Sequence, residues 1–150
     1  MCNENIQILV ERYVDVSFSV TKKAEALISE QLGSNLTHEQ LHILRYINRV
    51  VSCTSTILAE EFEVKKSAIT AIITRLCDKG FIQRTRDEKD RRVVYLTLTE
   101  KGEEFYRKVE ERVNQLVQGL ISQFEPSEIE QFIGTYEKLN RAFIELKNMK

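Results

Sequence analysis

The sequence predicts a mainly α-helical chain with one small β-hairpin, and three observations predict it. Apolar residues recur every three or four positions through long stretches at both ends. The charged run Asp87-Glu88-Lys89-Asp90-Arg91-Arg92 stands between two β-rich segments. The 150 residues hold one proline, Pro126, and five glycines, which leaves few places for long loops.

The elements follow in order. From about Ile6 to Leu32 the positions Ile6, Leu9, Val10, Tyr13, Val16, Val20, Ala24, Leu27, Ile28 and Leu32 form the stripe of one long amphipathic helix, ended by Gly33-Ser34-Asn35. Thr37 and Gln40 have the spacing of a capping box and start a second helix that runs to about Asn48. Thr54 or Ser55 offers an N-cap for a short third helix, TILAEEF. A fourth, SAITAIITRLCDKG, ends at Gly80, with Lys79 placed against the negative end of its dipole. Phe81–Thr85 and Val93–Thr99 read as the strands of the hairpin. Thr99 can cap a fifth helix on Phe105, Val109, Val113, Leu116, Leu120, Ile121 and Phe124, and Pro126 restarts a sixth that runs to about Lys147.

Composition bounds the class. Apolar content of 42% and charged content of 30% describe a globular chain, and no run reaches the ~18 apolar residues of a membrane span. The N-terminal stretch lacks a basic segment followed by an apolar one, so the expectation is a cytoplasmic protein with no membrane partner. Cys2, Cys53 and Cys77 are three, widely spaced, with no C-x-x-C, which predicts free thiols and neither disulfides nor a thiolate zinc site. Cys77 reads as a small buried filler and Cys2 as part of a terminal tail. Net charge is −1, yet residues 65–92 hold nine Lys/Arg against four Asp/Glu, a local +5 inside acidic flanks. A patch of this sign attracts phosphates whatever the global sum.

The two short helices have helix-turn-helix spacing, with Ala59 on the first and Ile69 ten residues later on the second. The turn favours glycine four residues after that alanine. Glu63 stands there, so the turn forms either without a positive φ or with strain. On the fourth helix Ile69, Ile72, Ile73 and Leu76 fall on one stripe, opposite Ser67, Thr70, Ala71, Thr74 and Arg75. Short hydroxylated side chains beside Lys65 and Lys66 suit a helix that must approach base edges closely. A solvent-facing helix that happens to be Thr-rich is the competing account.

The order of elements, and above all KGFIQRTRDEKDRRVVYLTLTEKG over residues 79–102, resembles the MarR family of bacterial transcription regulators. Asp90-Arg91-Arg92 matches that family's D-x-R wing signature, and Leu98-Thr99 with Lys101-Gly102 its L-T-x-K-G helix start. The resemblance implies one winged helix-turn-helix domain over 1–150, with 37–99 as the DNA-binding lobe and 1–36 and 100–150 as dimerisation helices. It implies a homodimer on double-stranded DNA at a pseudo-palindromic operator, acting as a repressor. Ser67, Thr70, Ala71, Thr74 and Arg75 would face the major groove, with Lys65 and Lys66 at the helix start. Arg92 would enter the minor groove, and Arg84, Arg86, Lys89 and Arg91 would meet phosphates. Asp90 would hold a neighbouring arginine, while Asp87 and Glu88 stay in solvent.

Release by a small-molecule effector is a common mode of this family, and Tyr13, Phe18, His42 and Tyr46 could line the crevice. Oxidant sensing through a cysteine in the first helix is not supported, since none lies between Cys2 and Cys53. Zinc sensing is not supported either. His42 is in a suitable place, but residues 99–124 contain no histidine, and His38 reads as exposed near a helix cap. No metal or cofactor is expected. No nucleophile elbow, P-loop, H-E-x-x-H or dinucleotide turn is present, which argues against an enzyme. The alternative function is a winged-helix protein-interaction module without DNA binding, and the +5 segment counts against it.

Overall fold

A computed structural model of the chain describes residues 3–33 and 36–150. The elements are α1 (Asn3–Leu32), α2 (His38–Arg49), α3 (Ser55–Glu61), α4 (Lys66–Asp78), β1 (Ile82–Arg86), β2 (Val94–Leu98), α5 (Glu100–Ile121) and α6 (Pro126–Asn148). They fall into two compact units, one ending at Glu110 and the other spanning Glu111–Lys150. Ser34, Asn35 and Cys2 lie outside the described residues.

Local chemistry sets the element ends. Gly33 ends α1 with φ +61° and its N–H on the Ser29 carbonyl at 2.9 Å, a conformation that glycine adopts at no steric cost. The capping box forms as the spacing predicts: Gln40 N–H donates to Thr37 Oγ1 at 3.2 Å, and Thr37 N–H to Gln40 Oε1 at 3.1 Å. That reciprocal pair explains how Gln40 is buried without losing its hydrogen bonds. Thr54 caps α3 through Ile57 N–H at 3.3 Å. Pro126 takes the first position of α6, where its missing N–H costs nothing.

The core of the first unit joins α2, α3, α4 and the hairpin. Leu41, Ile43, Leu44, Leu58, Ile69, Ile73, Leu76, Phe81, Ile82 and Leu96 are buried in it, each side chain contributing about 1.5–3 kcal/mol by leaving water. Ile72, predicted on the same stripe of α4, is half-buried at its edge. Cys53 is fully buried, and burial pushes its thiol pKa up to about 11, so it is an inert filler. This corrects the expectation for Cys77, which is only half-buried. Cys53 also extends the hairpin, its carbonyl accepting from Leu96 N–H at 2.8 Å.

The helix-turn-helix turn resolves in favour of strain. Glu63 takes φ +54°, the left-handed conformation that glycine would adopt without penalty. Ser52, in the α2–α3 connection, also has a positive φ of 63°.

The strands pair antiparallel in the register Ile82↔Leu98, Arg84↔Leu96 and Arg86↔Val94, which places these six side chains on one face of the hairpin. The base of the hairpin is tied to the start of α5. Thr99 N–H donates to Phe81 O at 3.0 Å, and Thr99 Oγ1 donates to Gly80 O while accepting Gly102 N–H at 3.0 Å. Gly80 itself has φ +78°. Lys101 Nζ donates to Lys79 O at 2.8 Å and lies 5.2 Å from the Phe81 ring centroid. Phe81 in turn stacks on Phe105 at 4.7 Å. A cation therefore meets the Lys79 carbonyl at the end of α4, supplied by Lys101 from α5.

The long helices leave much apolar surface uncovered. On α1 Leu9, Val10, Tyr13, Val16, Phe18 and Val20 are exposed, and on α6 so are Phe132, Ile133, Tyr136, Phe143 and Leu146. On α5 Val109 and Val113 are buried, but Leu120 and the following Phe124 are not.

A Cβ on Gly102 would stand 1.9 Å from the Phe81 carbonyl oxygen, which is backbone and cannot swing aside. Gly102→Ala is therefore expected to destabilise the chain by about 3 kcal/mol, the upper part of the overpacking range. Urea unfolding of the variant and parent checks this, and an unchanged midpoint would rule the close approach out.

Candidate nucleic-acid interface

The exposed side of α4 carries the residues predicted to face outward. Lys65, Lys66, Ser67, Thr70, Ala71, Thr74 and Arg75 are all exposed, while Ile69, Ile73 and Leu76 anchor the opposite face. The hydroxyls are not equivalent. Thr70 Oγ1 donates its proton to Lys66 O at 2.8 Å, so outward it presents lone pairs and a methyl group. Thr74 Oγ1 accepts from Arg84 Nη2 at 3.3 Å, which leaves its own proton free to donate.

That Arg84–Thr74 bond joins the hairpin to α4. Arg84 shares the hairpin face of Ile82 and so reaches the helix, while its guanidinium stays exposed. Between them runs a groove of about 190 Å³ lined by Ser55, Thr70, Ile73, Arg84, Val94 and Leu96. Its floor is apolar and its rim hydroxylated and cationic.

The hairpin tip is organised by carboxylates. Asp87 Oδ1 accepts the N–H groups of Lys89 at 2.8 Å and Asp90 at 3.0 Å, and Oδ2 accepts the Tyr95 hydroxyl at 3.0 Å. The Asp90 and Lys89 amides, with the Tyr95 hydroxyl, hold the Asp87 carboxyl below the usual carboxylate range. Asp87 is half-buried, so the expectation that it stays idle in solvent is corrected; Glu88 is exposed as expected. Asx-type turn chemistry is the signal that was there to be read: an aspartate two and three residues before amides that must turn.

Asp90 accepts Arg92 N–H at 3.1 Å and grips its guanidinium at both edge nitrogens, Nε at 3.1 Å and Nη2 at 3.3 Å. The Arg92 side chain is 91% exposed, so this ion pair orients the arginine at a strength of about 0–1 kcal/mol. Arg86 Nη1 donates to Arg91 O at 3.0 Å and braces the tip with its charge intact. Lys89 and Arg91 are exposed.

The four residues suggested for an effector crevice are not brought together. His42 and Tyr46 line a cavity of about 250 Å³ beside Arg45, Arg49, Glu61 and Phe62. Tyr13 and Phe18 lie on α1, about half and two-thirds exposed, and do not line it. His42 Nε2 is 3.0 Å from His38 Nε2, and His38 is half-buried in that pairing, more covered than expected. Burial, then the neighbouring His38 and Arg45, lower the His42 pKa against an opposing pull from Glu110. Arg45 Nη2 bonds Glu110 Oε2 at 2.8 Å, a pairing that joins α2 to α5 and that helix periodicity could not reveal. Among the described residues no group of three or more His, Cys, Asp or Glu could hold a metal ion.

Three packed helices, a hairpin wing and an exposed, basic second helix of the helix-turn-helix define a winged helix-turn-helix protein. Comparison with known proteins narrows the class. The model of the MarR family matches residues 36–94. The uncharacterized HTH-type transcriptional regulator YwhA of Bacillus subtilis is 35% identical over 118 residues, covering 79% of this chain and 85% of that protein. The HTH-type transcriptional repressor MdtR of the same organism is 36% identical over 93 residues, 59% of this chain and 60% of its own. The crystal structure of Streptococcus pneumoniae FabT in complex with DNA has the same fold, with a TM-score of 0.77 at 24% identity over 94% of this chain and 99% of that one. The chain belongs to the MarR family.

Removing the Asp87 carboxylate should loosen the tip while leaving the core intact. Asp87→Ala is expected to speed amide hydrogen exchange at Lys89 and Asp90 with little change at Leu44 or Ile73. Because the folded-state pKa is depressed, this contribution is complete above the unfolded value near 3.9 and is lost as pH falls through the folded one. Exchange that is unaltered in the variant would remove Asp87 from that role.

Proposed function

We propose that the chain is a DNA-binding transcription regulator, a repressor that acts as a homodimer on a pseudo-palindromic operator in the cytoplasm, and not an enzyme. The observation that carries this reading is one continuous exposed edge. It runs from Lys65 and Lys66 along Ser67, Thr70, Ala71, Thr74 and Arg75, crosses the Arg84–Thr74 bond, and ends at Lys89, Arg91 and Arg92. Two relatives described as a transcriptional regulator and a transcriptional repressor, and a fold neighbour crystallised with DNA, support it.

In this reading the exposed face of α4 enters the major groove. Thr74 supplies a donor, Thr70 an acceptor and a methyl, and Ala71 lets the backbone approach. Arg92 enters the adjacent minor groove, where narrow A·T-rich sequence concentrates negative potential, and its weak pairing with Asp90 is easily exchanged for that field. Lys65, Lys66, Arg84, Arg86, Lys89 and Arg91 contact phosphates and set the register without reading sequence. Residues 37–99 serve as the DNA-binding lobe of a single functional domain, with 1–36 and 100–150 as dimerisation helices.

The homodimer is argued from the uncovered apolar residues along α1 and along α6, because exposed apolar residues repeated along a helix mark a contact site. No helix among the described residues is long and apolar enough to cross a membrane, so a bilayer-spanning role does not account for them. A small-molecule effector completes the reading, with His42 and Tyr46 at its site.

Two measurements test it. Fluorescence anisotropy with fragments from upstream of the protein's own gene should show binding that random competitor DNA does not abolish. That affinity should fall about 10³–10⁵-fold between 50 and 200 mM salt if six to ten phosphates are contacted. Arg92→Ala should weaken it by about 1–3 kcal/mol with an unchanged melting temperature. Parent-like affinity in that variant would dismiss the wing assignment. Light scattering should give twice the 17.5 kDa chain mass, and Phe132→Glu with Ile133→Glu should shift it to the monomer. A parent protein that stays monomeric at micromolar concentration would dismiss the dimer.

A further inference from the structure

Threonines inside the helices of this chain differ in where the hydroxyl proton goes. Thr70 Oγ1 donates to the Lys66 carbonyl one turn back at 2.8 Å, and Thr135 on α6 donates to the Gln131 carbonyl at 2.9 Å. That back-bond is the ordinary fate of a helical threonine, and it is one reason why threonine χ1 splits between two rotamers in a helix. Thr74 departs from the pattern. Its Oγ1 accepts from Arg84 Nη2 at 3.3 Å, so a neighbouring donor fills one lone pair and the proton is left for an outside acceptor.

The hairpin aims the arginine that does this. Arg84 stands opposite Leu96 in the strand register, on the face shared with Ile82 and Val94. With Ile73, Val94 and Leu96 it lines the groove between wing and helix, and Ile73 and Leu96 are buried there. An arginine on this face is directed toward α4, and its guanidinium and Thr74 both stay exposed. Thr74 is a neutral acceptor, so the charge is not cancelled, and the other N–H groups of the fork remain for a phosphate. A hydroxyl that wanders between rotamers meets a base edge only part of the time. A bond that selects one rotamer beforehand removes that ordering cost from binding.

We propose that Arg84 is a positioning residue for sequence readout: by occupying the Thr74 oxygen it fixes that hydroxyl as a donor toward the major groove, and Thr74 then selects base edges that accept. This rests on the regulator reading and deepens it. Beside its phosphate contact, Arg84 contributes to sequence choice, and it does so only through Thr74. The chemistry names the bases. Guanine offers N7 and O6 and thymine O4, all acceptors, whereas cytosine offers its N4 amino donor. Thr70 has the opposite sign, because the Lys66 carbonyl consumes its proton. It accepts from the amino group of adenine or cytosine. The two threonines, one turn apart on the exposed side of α4, thus read opposite hydrogen-bond signs.

The test has one arm without DNA and one with it, both on the full chain. Without DNA, three-bond couplings to the Thr74 methyl carbon report χ1. They should give one rotamer in the parent and an average in Arg84→Met, which keeps a long stem but has no donor. With DNA, parent and variants each select from a randomised double-stranded library, and sequencing gives the preference at every base pair. Thr74→Val should lose about fivefold discrimination against cytosine at one position per half-site, the worth of one hydrogen bond. Arg84→Met should lose the same preference at the same position, and should lose nothing further there when Thr74 is already valine. A purely phosphate-binding Arg84 predicts otherwise: uniformly weaker binding, a salt slope lower by about one, and an unchanged preference. That result overturns the proposal and leaves the regulator reading standing. So does an unaltered Thr74 rotamer in Arg84→Met, or an additive loss in the double variant. A parent that selects no sequence at all overturns the regulator reading and the readout together, even where the rotamer responds.

Discussion

The rest of the lobe depends on the approach of the first turn of α5 to the Phe81 carbonyl. Only a hydrogen fits on Gly102 there, since a Cβ would sit 1.9 Å from that oxygen. With the backbones this close, Thr99 can serve three elements at once. It caps α5, closes the hairpin through Phe81, and satisfies the Gly80 carbonyl at the end of α4. Lys101 adds its ammonium to the same helix end and to the Phe81 ring. The end of α4, the base of the wing and the start of α5 therefore form one small, fully bonded knot. The direction in which α4 and the wing point is set by that knot and by the shared apolar core beneath it.

The shared core explains why this chain tolerates strain in the turn between α3 and α4. Glu63 holds a left-handed conformation in the turn between α3 and α4, at a cost of about 1–2 kcal/mol for a residue with a side chain. The buried faces on either side, Leu58 and Ala59 of α3 and Ile69 and Ile73 of α4, over-determine the crossing of the two helices. A turn enforced from both ends can carry a residue that would not choose it.

Much of the architecture was legible in the residues because it is local. Caps at Thr37, Thr54 and Thr99, the helix stop at Gly80 and the two β-rich strands are decided within a few positions, and the structure reproduces each. The turn at Glu63 was legible only as a choice between two outcomes, because φ depends on the packing that closes around it. Asp87 was misread because six consecutive charges look alike in composition. Which of them turns inward is set by the amides of Lys89 and Asp90, which Asp87 accepts, and then by Tyr95, eight residues on and directly across the hairpin from Thr85. Arg45–Glu110 joins residues 65 positions apart, beyond any periodicity or cap signal. Whether Tyr13 and Phe18 join His42 and Tyr46 was illegible for the same reason, and they do not line the cavity beside α2. Apolar faces on two helices can be read from spacing, but whether they enclose one volume cannot.

The acidic residues of the wing bear on how a chain of net charge −1 can present a phosphate-binding surface. A carboxylate aimed at a phosphate repels it, so Asp87 and Asp90 would weaken the proposed contact if they faced outward. Neither is free to do so. Three donors from the tip's own backbone and Tyr95 engage Asp87, and Asp90 stays bonded to the Arg92 backbone N–H even where it releases the guanidinium. Meanwhile the bonds made by Arg84 and Arg86 go to a hydroxyl and a carbonyl, neutral partners that fix direction without cancelling charge. The acids thus shape the wing from within while the bases keep their fields outward. Geometry, more than the local count of +5, makes this segment suited to a polyanion.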